Sequence, residues 1–415
     1  MKKALLVGLD YYKANKINIY MQELKALVET LNIEVFDSIT QDAKQASPQF
    51  KIGTGKVQEL KTLVNEHHLD LIIFNDELTG SQVRNLEDVI GVPVVDRTLL
   101  ILDIFAKRAK TKEAMLQVEV AQLKYLLPRL TSLHASFEKQ QGGIGSRGPG
   151  EKKIEMDRRK IENELNTLEK SLKSVVTVRQ SNRRYRQKSL IKTVAIVGYT
   201  NAGKSTLMNT LIKHSMNADG NTKDVFVKDQ LFATLETTSR RIEIPNTKPF
   251  LLTDTIGFVS NLPHDLIEAF KSTLEEIKEA DLLLHVVDFS NPYYFDQITT
   301  TQKVLDELGA SDIETLYVFN KIDLTDNFVP HGFTPAVKIS LTEDINIDLL
   351  ISQIRTLLTK DDKIVTYKIP FSQGDLVNTL IEHTEIINQT YHEDGTEIKA
   401  KVSNVLRHQL KDYEI

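Results

Sequence analysis

A chain of 415 residues with 41% apolar side chains is too long for one ordinary core and long enough for two to four packed domains. It has no cysteine, which excludes a disulfide framework and any thiolate metal site and makes a reducing compartment, the cytoplasm, the expected location. The net charge of −5 hides an asymmetry: residues 139–192 hold 15 Lys and Arg against 6 Asp and Glu, a basic segment inside an acidic protein. Such a segment suits a polyanionic partner, and a solvated helical face is the plainer alternative.

Residues 4–9 form an apolar run that stops at Asp10 without a small-residue cleavage site, so it reads as a first β-strand and not as a leader. No stretch approaches the roughly 20 apolar residues of a membrane span; even 282–287 is broken by His285 and closed by Asp288. Through residue 100, short β-rich runs at 4–7, 69–74 and 92–95 alternate with helical stretches at 21–31, 57–66 and 82–90. That rhythm predicts a small α/β domain, 1–100, on a parallel sheet. Gly53-Thr54-Gly55-Lys56 within it reads as a turn.

Long helices follow over 101–190. Leu116, Val120, Leu123, Leu127 and Leu130, then Ile161, Leu165, Leu168, Leu172 and Val175, step by three and four, the spacing of a coiled-coil seam. Between them Gly142-Gly143-Ile144-Gly145-Ser146-Arg147-Gly148-Pro149-Gly150 cannot continue a helix, so the two arms should fold back as a hairpin with a glycine-rich tip. Pro128 is expected to kink the first arm. Residues 191–361 return to longer strand and helix alternation, with strands at 193–197, 250–253, 282–287, 316–319 and 336–339 and a closing helix at 347–358. This pattern predicts an α/β domain with a doubly wound parallel sheet. The last stretch, 362–415, reads as a small βαββ, α+β domain with a turn at Glu393-Asp394-Gly395.

Gly198-Tyr199-Thr200-Asn201-Ala202-Gly203-Lys204-Ser205 follows an apolar strand and opens an amphipathic helix that begins with Thr206. In this P-loop pattern backbone amides wrap the α- and β-phosphates, the lysine reaches the β/γ oxygens, and the helix points its positive end at them. Ser205 is the expected magnesium hydroxyl ligand. Fifty residues after Lys204, Asp254-Thr255-Ile256-Gly257 closes another apolar strand, which suits a carboxylate on the magnesium shell and a Gly257 amide that senses the γ-phosphate. The loop Phe232-Ala233-Thr234 between them should close over metal and phosphate. Thr234 is the preferred ligand, with Thr237 and Thr238 as rivals. Lys204, Thr234 and Gly257 are thus the candidate catalytic groups, and Ser205, Thr234 and Asp254 the candidate metal ligands.

Asn320-Lys321-Ile322-Asp323 follows the strand at 316–319. An aspartate there accepts from guanine N1–H and its N2 amine together, a donor pair that adenine does not present. Ser340-Leu341, after the strand at 336–339, is placed to brace the base with backbone amides. The cofactors that follow are GTP or GDP with Mg²⁺, and the reaction is hydrolysis of GTP to GDP and phosphate.

With the phosphate loop, Phe232-Ala233-Thr234-Leu235, Asp254-Thr255-Ile256-Gly257-Phe258, Asn320-Lys321-Ile322-Asp323 and the glycine-rich tip running into Glu155-Met156-Asp157-Arg158-Arg159, the chain resembles the HflX-type translational GTPases from end to end. That resemblance implies binding to the large ribosomal subunit and its RNA, hydrolysis stimulated there, and dissociation of stalled or idle ribosomes; a monomer and no DNA partner are expected beside it. Glu236-Thr237 stands where the family usually has Asp-Pro. A basic hairpin suits RNA phosphates, which makes Gly142, Gly143, Arg147, Gly148, Lys152, Lys153, Arg158 and Arg159 the candidate RNA contacts. A nucleotide-gated assembly switch with little hydrolysis is the alternative.

Overall fold

The structure is a computed structural model that describes residues 2–11, 17–134, 149–187, 191–215, 238–244, 248–255, 257–260, 270, 274–325 and 332–415. Two compact units divide the chain. One is Met1–Val178 with Asp229–Leu235 and Ser260–Lys271; the other is Arg179–Lys228 with Glu236–Val259 and Ser272–Ile415.

The first unit is built on a parallel sheet of order β2-β1-β3-β4, with β1 Lys3–Tyr11, β2 Glu34–Ala43, β3 Leu71–Phe74 and β4 Val94–Asp96. β3 is apolar throughout and β1 is buried from Ala4 to Leu9, as strands covered on both faces must be. The edge strand β2, absent from the sequence expectation, alternates Ile39 and Gln41 among exposed polar residues, so no apolar run announces it. Helices α1 Ile17–Thr30, α2 Thr54–His67, α3 Gly80–Ile90 and α4 Arg97–Arg108 complete the layers. Helix α3 is closed at its start by a capping box: Gln82 N–H donates to Thr79 Oγ1 at 3.3 Å while the Thr79 amide donates to Gln82 Oε1 at 3.0 Å.

The hairpin arms are α5 Lys112–His134 and α6 Pro149–Gln187, joined by the Lys124–Glu169 ion pair at 3.0 Å. The face of α5 that is buried carries Ala114, Gln117, Val118, Ala121 and Tyr125, and it packs on α3 and α4. Of the expected leucine seam only Val120 is buried; Leu116, Leu123, Leu127 and Leu130 are half-exposed. On α6, Ile161, Leu165, Leu168, Leu172 and Val175 are half-exposed as well, and the deeper burial of α5 lies on its other face, against α3 and α4. Asp96 anchors the packing, accepting from Tyr125 Oη at 2.8 Å and from Arg129 at 3.2 Å.

In the second unit six strands stand in the order β10-β9-β8-β5-β7-β6. They are β5 Lys192–Gly198, β6 Thr238–Ile242, β7 Phe250–Asp254, β8 Leu282–Asp288, β9 Thr315–Asn320 and β10 Ala336–Lys338. The expected doubly wound parallel sheet carries one further edge strand, β6, which runs antiparallel to β7 and makes the sheet mixed. Half-exposed Thr238 and Ser239 followed by exposed Arg240 and Arg241 hid this strand in the sequence. Helices α7 Lys204–Lys213, α8 Tyr294–Leu308 and α9 Ile347–Leu358 flank the sheet. Val194, Ile196, Leu284, Val286, Leu316 and Val318 face Leu207, Leu211, Leu350 and Ile354 in one core. Each such side chain contributes about 1.5–3 kcal/mol by leaving water.

A three-stranded antiparallel sheet, order β11-β13-β12, ends the chain: β11 Lys363–Ile369, β12 Glu385–His392 and β13 Gly395–Val402. Helix α10 Gly374–His383 gives the expected βαββ order, and α11 Asn404–Gln409 adds Leu406 to a core centred on Tyr367, Ile369, Ile398 and Ala400. The half-buried Lys248–Asp362 pair at 2.6 Å lies where the chain enters this sheet. No helix among the described residues is long and apolar enough to cross a membrane.

Candidate nucleotide site

Chain direction changes sides at β5: the chain passes to β7 on one side of it and then to β8 on the other. The carboxyl ends of β5 and β8 therefore bound the crevice in which doubly wound sheets hold ligands. The P-loop leaves β5 here. Gly203 caps α7 at φ 102°, and a Cβ on it would lie 2.4 Å from Asn320 Nδ2, so both conformation and contact require glycine. Asn201 takes a positive φ of 62° and is exposed, and Ala202 is buried. Thr206 is half-buried in the first turn of α7.

Lys204 is the first residue of α7, and its ammonium donates to the Tyr199 carbonyl at 2.6 Å. Burial pulls its pKa down to about 8, a shift that the Asp254 carboxylate partly opposes. Ser205 donates its hydroxyl to Asp254 Oδ2 at 3.0 Å, so the two described metal candidates are brought together at the end of β7. Asp254 is fully buried. Thr255, one of the expected nucleotide-site residues, turns its hydroxyl to the Ile196 carbonyl of β5 at 2.6 Å and pins the segment to the sheet. Gly257 closes against the loop: a Cβ there would sit 2.9 Å from Lys204 Nζ and 2.8 Å from Thr200 Cγ2.

Phe258 was legible as an apolar residue after Gly257, but its backbone role was not. Its carbonyl accepts from the Thr200 amide at 2.8 Å and its amide donates to the Gly198 carbonyl at 3.2 Å, pairing the segment with the P-loop while the ring is buried. Because backbone atoms carry this contact, side-chain identity gives no signal for it.

At the far end of the crevice, buried Asn320 links two loops. It donates through Nδ2 to the Ala202 carbonyl at 3.0 Å and accepts the Leu341 amide at 3.2 Å. Lys321 adopts φ 64°, which turns the chain into the short 3-10 segment Ile322–Leu324 and leaves Asp323 exposed. Ser340 is buried and accepts the Glu343 amide at 3.2 Å.

A further buried group, His285 of β8, has its pKa lowered to about 3 by burial and then by the charge of Lys204. A lone histidine in an apolar strand was its only trace in the sequence. Phe232, Ala233, Thr234 and Ile256 lie outside the described residues, as do Gly142, Gly143, Arg147, Gly148 and the side chains of Lys152 and Lys153. Arg158 and Arg159 are exposed on α6, paired with Glu162 at 2.8 Å and Glu155 at 2.9 Å.

Residues 18–106 match a family described as GTP-binding GTPase N-terminal, 108–186 one described as GTP-binding GTPase Middle Region, and 193–321 one described as 50S ribosome-binding GTPase. GTPase HflX of Caldanaerobacter subterraneus is 46% identical over 95% of this chain and 90% of its own. GTPase HflX of Escherichia coli is 37% identical over 95% and 92%. The chain belongs to the HflX family of GTPases. It is accordingly a GTP-binding, GTP-hydrolysing enzyme. A GTP-binding protein from Sulfolobus solfataricus, solved in complex with GDP, covers 87% of this HflX-family chain and 99% of its own at 25% identity and a TM-score of 0.45.

Proposed function

We propose that this HflX-family GTPase works in the cytoplasm as a monomer, binds the large ribosomal subunit and its RNA, and parts stalled or idle ribosomes. What carries the reading is the match of its nucleotide domain to a family described as 50S ribosome-binding, in a chain with a strongly basic segment at 139–192. The segment attracts polyanions, and the glycines of the tip allow a close backbone approach to RNA. Arg158 and Arg159 have glutamate neighbours, so their field is softened, and Arg147, Lys152 and Lys153 are the contacts of first choice.

Mg²⁺ fits the hard oxygens of Ser205 and Asp254, with Thr234 as a third ligand, and when bound it would neutralise phosphate charge. Lys204 offers its ammonium to the phosphate oxygens, and the Gly257 amide reports the third phosphate. Asp323 reads the guanine edge, Asn320 holds the reader's loop to the P-loop, and Ser340 and Leu341 border the base. Phe258 has no hydrogen-bonding side chain to align water, so hydrolysis should be slow until a partner assists.

The test is turnover with and without large subunits, together with a subunit-splitting assay on protein lacking residues 143–149. Stimulated turnover and loss of splitting with GTP binding intact are the expected results. Unstimulated turnover would favour an assembly switch, and full splitting without the tip would reduce the hairpin to a spacer.

A further inference from the structure

Asp288 closes β8 level with Asn320 at the end of β9. The two strand ends are tied together, the Phe289 amide donating to the Asn320 carbonyl at 2.9 Å. The Asp288 carboxylate is fixed through both oxygens. Oδ1 accepts the Ser290 amide at 3.1 Å and the Ser290 hydroxyl at 2.6 Å; Oδ2 accepts the Lys321 ammonium at 2.7 Å. The side chain of Lys321 therefore leaves the end of β9 and reaches back to the end of β8.

Strand β8 lies between β5, which feeds the P-loop, and β9, which feeds Asp323. A nucleotide with its phosphates at Gly203 and its base at Asp323 has to cross that strand end. We propose that Asp288 is a positioning residue for the guanine nucleotide: by holding the Lys321 ammonium it lays the lysine methylenes as an apolar shelf beneath the nucleoside. Lysine stems readily cover apolar surface while the charged head is satisfied elsewhere. A long side chain fixed beforehand loses less freedom when the ligand arrives, so the tether raises affinity through preorganisation. Ser290 serves the same end by locking the carboxylate rotamer. The inference rests on the guanine-nucleotide site and is independent of any ribosomal role.

The experiment measures release of a fluorescent GDP from wild type, Asp288→Ala, Lys321→Met and the double variant, with KM and kcat for GTP alongside. Each single change should speed release roughly 10- to 100-fold, the loss expected of one charge-assisted bond, and the double should be no faster than the faster single. KM should rise in step while kcat falls by less than about threefold. Asp288→Asn keeps an acceptor for Ser290 but drops the charge, and it should move in the same direction if the alanine variant fails to fold. Wild-type release from Asp288→Asn, or effects that multiply in the double variant, would overturn the assignment. Failure of the guanine site itself would show separately, as loss of guanine preference in wild type.

Discussion

Asn320 donates its side-chain amide to the Ala202 carbonyl at 3.0 Å, so the residue that opens the base-reading turn also holds the P-loop in place. A Cβ on the neighbouring Gly203 would fall 2.4 Å from the same nitrogen, at φ 102°. Gly203→Ala should therefore break the bond between the two loops and strain the helix start. The combined penalty of about 3 kcal/mol corresponds to a loss of GDP affinity on the order of 100-fold. Calorimetric titration checks it, and affinity within fivefold of wild type would mean that the two loops are not coupled.

Asp323 stands exposed on the turn after Lys321, free to accept from the base edge. Asp323→Asn should weaken GTP and favour xanthosine triphosphate, whose base carries a carbonyl where guanine has its amine. The inversion should span roughly 10- to 100-fold in relative affinity. Competition between the two nucleotides on the variant measures it; unchanged preference for GTP would place the base reader elsewhere.

Burial lowers the Lys204 pKa from 10.5 to about 8, and bound phosphates favour its charged form. Free protein sheds that proton as pH rises through 8, whereas complexed protein keeps it, so affinity for GDP should fall above pH 8. Near that pH, binding should take up roughly half a proton, read from binding heats in buffers of different ionisation enthalpy. No uptake would mean that the lysine is already fully charged in the free protein.

His285 titrates near 3 in the fold against 6.5 in an unfolded chain. Between those values the unfolded chain holds the extra proton, so acid removes stability across that window, by up to about 1.4 kcal/mol per pH unit. His285→Leu eliminates the titration and should lose about 2–3 kcal/mol less than wild type between pH 7 and pH 4 in urea unfolding. Parallel losses in the two proteins would assign the acid sensitivity to other groups.

The nucleotide motifs were legible because phosphate and guanine chemistry demand fixed residue types at short spacing: Gly203, Lys204, Ser205, Asp254, Asn320 and Asp323 all fall where strand ends deliver them. The buried strands β1, β5 and β8 were legible for a related reason, since the stretch of a parallel strand covered on both faces reads as a near-continuous apolar run. Edge strands β2 and β6 escaped, because one side of each faces solvent and their polar residues hide the period. On α5 the leucine spacing pointed to a seam, but which face is buried depended on the surfaces of α3 and α4 beside it. The links that make the site one object belong to the tertiary structure alone: Phe258 to the P-loop through backbone atoms, Asn320 to Ala202 across 118 residues, and Asp288 to Lys321 across 33. Local sequence fixes what a residue offers chemically, whereas the order of strands in the sheet decides which distant residue it meets.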